Sequence, residues 1–355
     1  MTKPANSQPL ALACPHLKWW PLHALPCAVL LLTLAACQPQ ADRAAPGSPP
    51  PVGHYEGSIA PAGQPAVRVA LDIRYPSAGH CEGEVTVAGR PELSFLTDTL
   101  RWQDDTLRVA RPTQPEPVLS LRLEGEFWQG HMLLDGRVQP VVLIRRGPPE
   151  PASYQLRRLY LSPATVVQFL PSNPAITGPA VLMLTDSMGP ASAVWADFLA
   201  RQDVMAQLPI AADAPIGFDS VSSSYLRFYL NFQRFYLAVD APRLGLWLHG
   251  RVGRALPAVL ADTSGHLPTL AFVLLLHPPP VPARDRAAWQ RLGRRLPILA
   301  LYHQSEARAA ASMQAALGSS RRGRAVRRYP ATAAGTAQMQ ADALGWLRQV
   351  PPAPR

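Results

Sequence analysis

Between residues 52 and 147 apolar and polar positions alternate with period two. Val67, Val69, Leu71 and Ile73 fall on one side of the pattern, with Arg68, Asp72 and Arg74 on the other. That is the signature of a strand with one buried face. Residues 84–87, 106–109, 119–123 and 141–144 repeat it, and Ala88-Gly89, Gln103-Asp104-Asp105 and Leu134-Asp135-Gly136 supply turns between them. Short strands at this spacing predict a small antiparallel β-barrel or sandwich. Tyr55 and Trp128 are the aromatics expected to plug its core.

From Tyr154 the period changes. Residues 181–184, 244–248, 271–276 and 298–302 are short continuous apolar runs, the pattern of buried parallel strands. A poorer strand is expected at 325–329. Helical spacing joins Val194, Trp195, Phe198, Leu199 and Met205, and recurs over residues 224–239, 255–260, 285–294, 305–317 and 336–348. Alternating buried strands and helices predict an α/β fold with a doubly wound, mostly parallel sheet.

The N-terminus changes the picture of where the chain resides. Residues 24–36 form an apolar run preceded by Lys3 and Lys18 and by no acidic residue. About 13 residues are too few to span a bilayer, which takes about 20, but suit a signal-peptide core. The run ends in Leu34-Ala35-Ala36-Cys37, which resembles a bacterial lipobox. The resemblance implies lipidation at Cys37, anchoring in the cell envelope, and the outer membrane over the inner because Gln38 rather than Asp follows. Residues 1–36 are then the signal, 37–51 a Pro/Ala/Gly/Ser tether, 52–147 the β-domain, 154–349 the α/β domain and 350–355 a tail. Pro148-Pro149-Glu150-Pro151 reads as an exposed connection between the two domains. Removing the signal leaves Cys81 as the one unlipidated cysteine, so the fold must rest on its core. The formal net charge of +10 is spread as arginine along the chain. It reads as a solvated surface beside an anionic membrane, and nucleic acid is not expected as a partner.

The α/β region carries a resemblance. Residues 240–253, with Asp240, Arg243, Leu244, Gly245, Leu246, His249 and Gly253, are similar to the segment that leads into the nucleophile elbow of α/β-hydrolases. Residues 178–190 resemble that family's oxyanion-loop strand, 271–282 its next strand, and 298–306 the strand bearing the catalytic acid. Val52-Gly53-His54-Tyr55-Glu56-Gly57-Ser58-Ile59 resembles the opening of the β-domain that precedes some secreted members. The resemblance implies serine-hydrolase ancestry, yet the working residues differ. Gly250 stands at the nucleophile position and Ala334 at the base. Thr185 and Asp186 replace the His-Gly turn that shapes the oxyanion hole. Glu306 falls at the acid. Without a hydroxyl or an imidazole at those positions there is neither covalent route nor general base, and a carboxylate at Asp186 opposes a developing oxyanion.

These readings converge on an envelope lipoprotein whose degenerate, inactive hydrolase domain binds a protein or small-molecule partner, with no cofactor or metal. The alternative is a working esterase or peptidase in which Ser187 or Ser220 pairs with His249 or His303. His277 and His303 end neighbouring strands and, with Glu306, form the one cluster from which a metal site would be built. No dense ligand set surrounds it.

Overall fold

Residues 53–147 build one antiparallel sheet. Its strands are β1 (Gly53–Ile59), β2 (Val67–Ser77), β3 (His80–Val87), β4 (Phe95–Thr97), β5 (Leu100–Gln103), β6 (Thr106–Ala110), β7 (Pro117–Glu124), β8 (Phe127–Leu134) and β9 (Arg137–Gly147). They lie in the order β4-β3-β2-β1-β9-β8-β7-β6-β5. β1 pairs with both β2 and β9, and Gly83 of β3 lies against the Leu100 side chain of β5. The sheet therefore curls into a near-barrel with its seam between β4 and β5, and the sandwich alternative is set aside. Asp104-Asp105 and Asp135-Gly136 take positive φ (50° and 56°; 49° and 73°), the geometry of two-residue hairpin turns. Tyr55 and Trp128 are buried and meet edge to face at 5.9 Å, with Trp102 against Trp128 at 5.6 Å.

This computed structural model describes residues 49–351, apart from 62, 64, 78, 115, 162–163, 174–177, 187–189, 212–242, 262–268 and 319–322. The signal segment, Cys37, Ser187, Ser220 and the helix expected over 224–239 lie outside the described residues.

The second sheet has β10 (Tyr154–Leu161), β11 (Ala164–Pro171), β12 (Ala180–Thr185), β13 (Met205–Ala211), β14 (Leu244–His249), β15 (Phe272–Leu276), β16 (Ile298–His303) and β17 (Arg324–Tyr329). Its order is β10-β11-β13-β12-β14-β15-β16-β17. From β13 to β17 every neighbour is parallel, while β10, β11 and β13 pair antiparallel. Helices α1 (Pro190–Arg201), α2 (Leu256–Ala261), α3 (Arg286–Arg295), α4 (Ala307–Leu317) and α5 (Ala333–Gln349) cover it. Alternate side chains of the central strands feed two cores. Met183, Trp247, Leu274 and Leu301 pack with residues of α1 and α5, and Leu184, Leu248, Leu275 and Ala300 with residues of α2, α3 and α4. Both faces are thus buried, as the apolar runs require. Among the described residues no helix is long and apolar enough to cross a membrane.

One expectation needs correction. Met205 opens β13 and does not continue a helix. The helix ends at Arg201, and Asp203, at φ 61°, takes the left-handed C-terminal position usually held by glycine. With no glycine there, the stop was hidden. The β10–β11 hairpin was also missed, because Arg157 and Arg158 interrupt the apolar run of β10.

Both sheets belong to one compact unit, Pro49–Arg355, and buried polar groups join them. The Tyr154 hydroxyl donates to Asp197 at 2.6 Å and accepts from the Leu96 N–H at 3.0 Å. Glu84, on β3, is paired with Arg201 of α1 at 2.9 Å and Arg74 at 3.0 Å, and accepts from the Ser153 hydroxyl. Burial pushes the Glu84 carboxyl up, but Ser153, Arg201 and Arg74 outweigh it and hold the carboxyl below its ordinary range. Pro148, Glu150 and Pro151 are exposed, yet the Glu150 N–H donates to Asp72 at 2.7 Å and Arg74 donates to the Glu150 carbonyl at 2.5 Å.

Candidate functional site

Parallel strands β12, β14, β15 and β16 all end on one edge of the sheet, where α/β folds place their ligands. That edge carries Thr185 and Asp186 after β12, His249 and Gly250 at the end of β14, His277 just after β15, and His303 at the end of β16. Glu306 follows within one turn.

Gly250 has φ 67° and a 3-10 turn, Gly250–Ala255, starts there and leads into α2. The chain thus makes a sharp strand-to-helix turn through a left-handed residue, the backbone shape of a nucleophile elbow. The space a side chain would occupy is taken. A Cβ built on Gly250 would overlap both carboxylate oxygens of Asp186. Asp186 Oδ2 accepts the Arg251 backbone N–H at 2.7 Å. In elbow-bearing enzymes the N–H after the nucleophile is an oxyanion-hole donor; here the N–H after Gly250 is already bonded to a carboxylate. The same bond caps an otherwise unpaired donor at a helix start, which alone would account for an acidic residue there.

The three histidines form a ladder. His249 and His277 meet edge to face at 5.8 Å, and His277 stacks on His303 at 4.3 Å. The register places them on adjacent strand ends: His249 lies opposite Leu276, and the His277 N–H donates to the Leu301 carbonyl at 2.9 Å. Thr185 Oγ1 lies 3.1 Å from His249 Nδ1 at one end of the row. At the other, His277 Nδ1 lies 2.5 Å from Glu306 Oε2, which also accepts the His303 N–H at 2.7 Å. Burial pushes His249 and His303 below the ordinary imidazole range, and His277 beside each pushes the same way. His277 itself sits at φ 50°, a conformation side-chain-bearing residues adopt at a cost and which collects at functional positions.

Several residues singled out from the sequence are thus brought together: Asp186 with Gly250 and Arg251, Thr185 with His249, and Glu306 with His277 and His303. Ala334 stands apart as an exposed residue in the first turn of α5. Sequence reasoning missed that the carboxylate at Glu306 holds the His277 imidazole by its Nδ1. The available signal was that His249, His277 and His303 each follow an apolar run of similar length. As a metal site the cluster is poorly shaped. Glu306 takes His277 Nδ1, the rings stack instead of converging, and no group of three or more ligands among the described residues is placed to hold an ion.

No protein-family model matches the sequence, and no curated protein does. Solved structures do. A soluble variant of monoglyceride lipase from Saccharomyces cerevisiae is 9% identical, with 56% of this chain and 96% of that one covered and a TM-score of 0.38. A provisionally assigned dienelactone hydrolase from Klebsiella pneumoniae is 16% identical over 55% of this chain and 99% of its own, TM-score 0.42. A cold-adapted esterase from an Arctic intertidal metagenomic library is 13% identical over 72% and 98%, TM-score 0.36. At these identities and scores the likeness assigns no chemistry to this chain, whose site is read from its own residues.

Proposed function

We propose that this protein is a catalytically silent, hydrolase-like binding module, held at the bacterial cell envelope by a lipid on Cys37. The observation that carries silence is Asp186. Its carboxylate fills the nucleophile's place at Gly250 and consumes the Arg251 N–H that an oxyanion would need. A hydroxyl is absent from the elbow, and Ala334 brings no imidazole. What remains is a half-buried row of imidazoles, with Thr185 at one end and Glu306 at the other, suited to holding a ligand by hydrogen bonds without attacking it. The lipid anchor rests on the sequence around Cys37, and the binding role on the retained strand-end row.

One observation favours the second reading, a hydrolase with a displaced nucleophile. His277 and Glu306 form an oriented base–carboxylate pair that would activate a hydroxyl or a water brought to Nε2. Ester turnover separates the two readings. Purified protein offered short- and long-chain nitrophenyl esters should show no hydrolysis above buffer. Turnover abolished by His277→Gln would establish the hydrolase instead.

A further inference from the structure

Five of the seven large apolar side chains left exposed among the described residues stand on two paired strands. Phe127 and Leu133 are on β8; Val138, Val142 and Ile144 are on β9. The register makes them one ribbon. Phe127 lies opposite Ile144, Gln129 opposite Val142, His131 opposite Pro140, and Leu133 opposite Val138, all on the outer face. Six residue steps give a stripe about 20 Å long. Val138 is 67% exposed and Phe127 47%, so the apolar side chains cluster on one face, with Gln129 and His131 among them, and are not scattered single residues.

Arginine borders it on both sides. Across β7 and β6 the same outer rows continue to Arg122 and Arg108, and Arg101 on β5 lies opposite Arg108. Across β1, Ser58 lies opposite Val142 and leads to Arg68 on β2. Arg146 stands at the end of β9, 3.6 Å from Glu56. An open groove of about 620 Å³ runs beside the ribbon, among Arg68, Arg146, Val142 and Ile144. Glu56 and Glu124, both at the Phe127 end, are the carboxylates on these rows, so five arginines outweigh two acids. A second copy stacked on this face would set arginine rows against arginine rows. An apolar strip between cationic rows matches a surface that is apolar inside and anionic at its rim.

We propose that the outer face of β8 and β9 lies against an anionic lipid bilayer, with the ribbon entering the acyl boundary and the arginines on lipid phosphates. This goes beyond the anchor at Cys37 and does not depend on it. The test uses the chain from residue 37 onward with Cys37→Ser, which removes the acyl acceptor. Sedimentation with vesicles of equimolar phosphatidylglycerol and phosphatidylcholine should pull down the protein, and pure phosphatidylcholine should bind it at least tenfold more weakly. Arg108→Glu with Arg122→Glu, or Phe127→Ser with Val142→Ser, should each cost tenfold or more on the mixed vesicles, with an unchanged thermal melt. If the serine pair fails to fold, Phe127→Trp keeps the face intact, and its emission should shift to the blue on adding mixed vesicles. Equal binding to both vesicle types, or both variant pairs binding like the parent, would overturn the proposal. So would lipid-free dimerisation abolished by the same serine changes, which would assign the ribbon to a second copy.

Discussion

Gly250 and Asp186 explain each other. A glycine at φ 67° is free of the strain any side chain would carry there, and the missing Cβ gives the Asp186 carboxylate its place on the Arg251 N–H. Gly250→Ser must therefore adopt a left-handed backbone and swing Asp186 away, giving up that hydrogen bond. The strain alone costs about 1–3 kcal/mol, so thermal unfolding should move down, and no esterase activity should appear. Adding Asp186→Gly should recover part of the melting temperature by clearing the overlap. An unchanged melt for Gly250→Ser would contradict this coupling. The glycine that follows β14 was legible in the sequence as a departure from the elbow pattern. That the Asp186 carboxylate packs beside Gly250 and takes the Arg251 N–H was not, because residues 64 apart meet only through the parallel pairing of β12 with β14.

At the level of elements, what the sequence disclosed follows from burial. β12, β14, β15 and β16 are covered on both faces, so their apolar runs are uninterrupted and their ends are sharp. β10 and β13 escaped for local reasons: Arg157 and Arg158 in one, and in the other a helix stop made by Asp203 without a glycine. The strand ends also carry a pH dependence. His249 and His303 sit below the ordinary imidazole value of 6.5, chiefly through burial, while the unfolded chain keeps that value. Above about 6.5 both states are neutral and stability is full. As pH falls below it, the unfolded chain takes up protons first, and the folded state loses stability until its own lowered values are passed. Two further protons on the ladder would also face His277, 4.3 Å from His303, against the opposing charges of Asp186 and Glu306. The melting temperature should drop between pH 7 and pH 5, and His249→Asn with His303→Asn should flatten that drop. Parallel pH profiles for parent and variant would refute the assignment.

For the whole molecule, three proposals rest on separate features. The proposed tether rests on the lipobox-like sequence at Cys37. The proposed lipid contact rests on the arginine-flanked ribbon of the near-barrel. The proposed silent binding site rests on the strand-end row of the second sheet and on Asp186 beside Gly250. Polar groups such as Glu84, Arg201, Tyr154 and Asp197 join the two sheets into one compact unit. Most of this plan was readable as a change of period near Tyr154, whereas the polar joints were not, since charged residues on alternating strands look like solvated faces until the second sheet covers them. The central claim is that no residue of the folded protein acts as an activated serine nucleophile. It is tested most directly by intact mass after incubation with a fluorophosphonate probe. The account predicts the unmodified mass, with an active serine esterase in the same tube fully labelled. A single stoichiometric adduct, mapped to Ser187, Ser220 or any other serine, would contradict it.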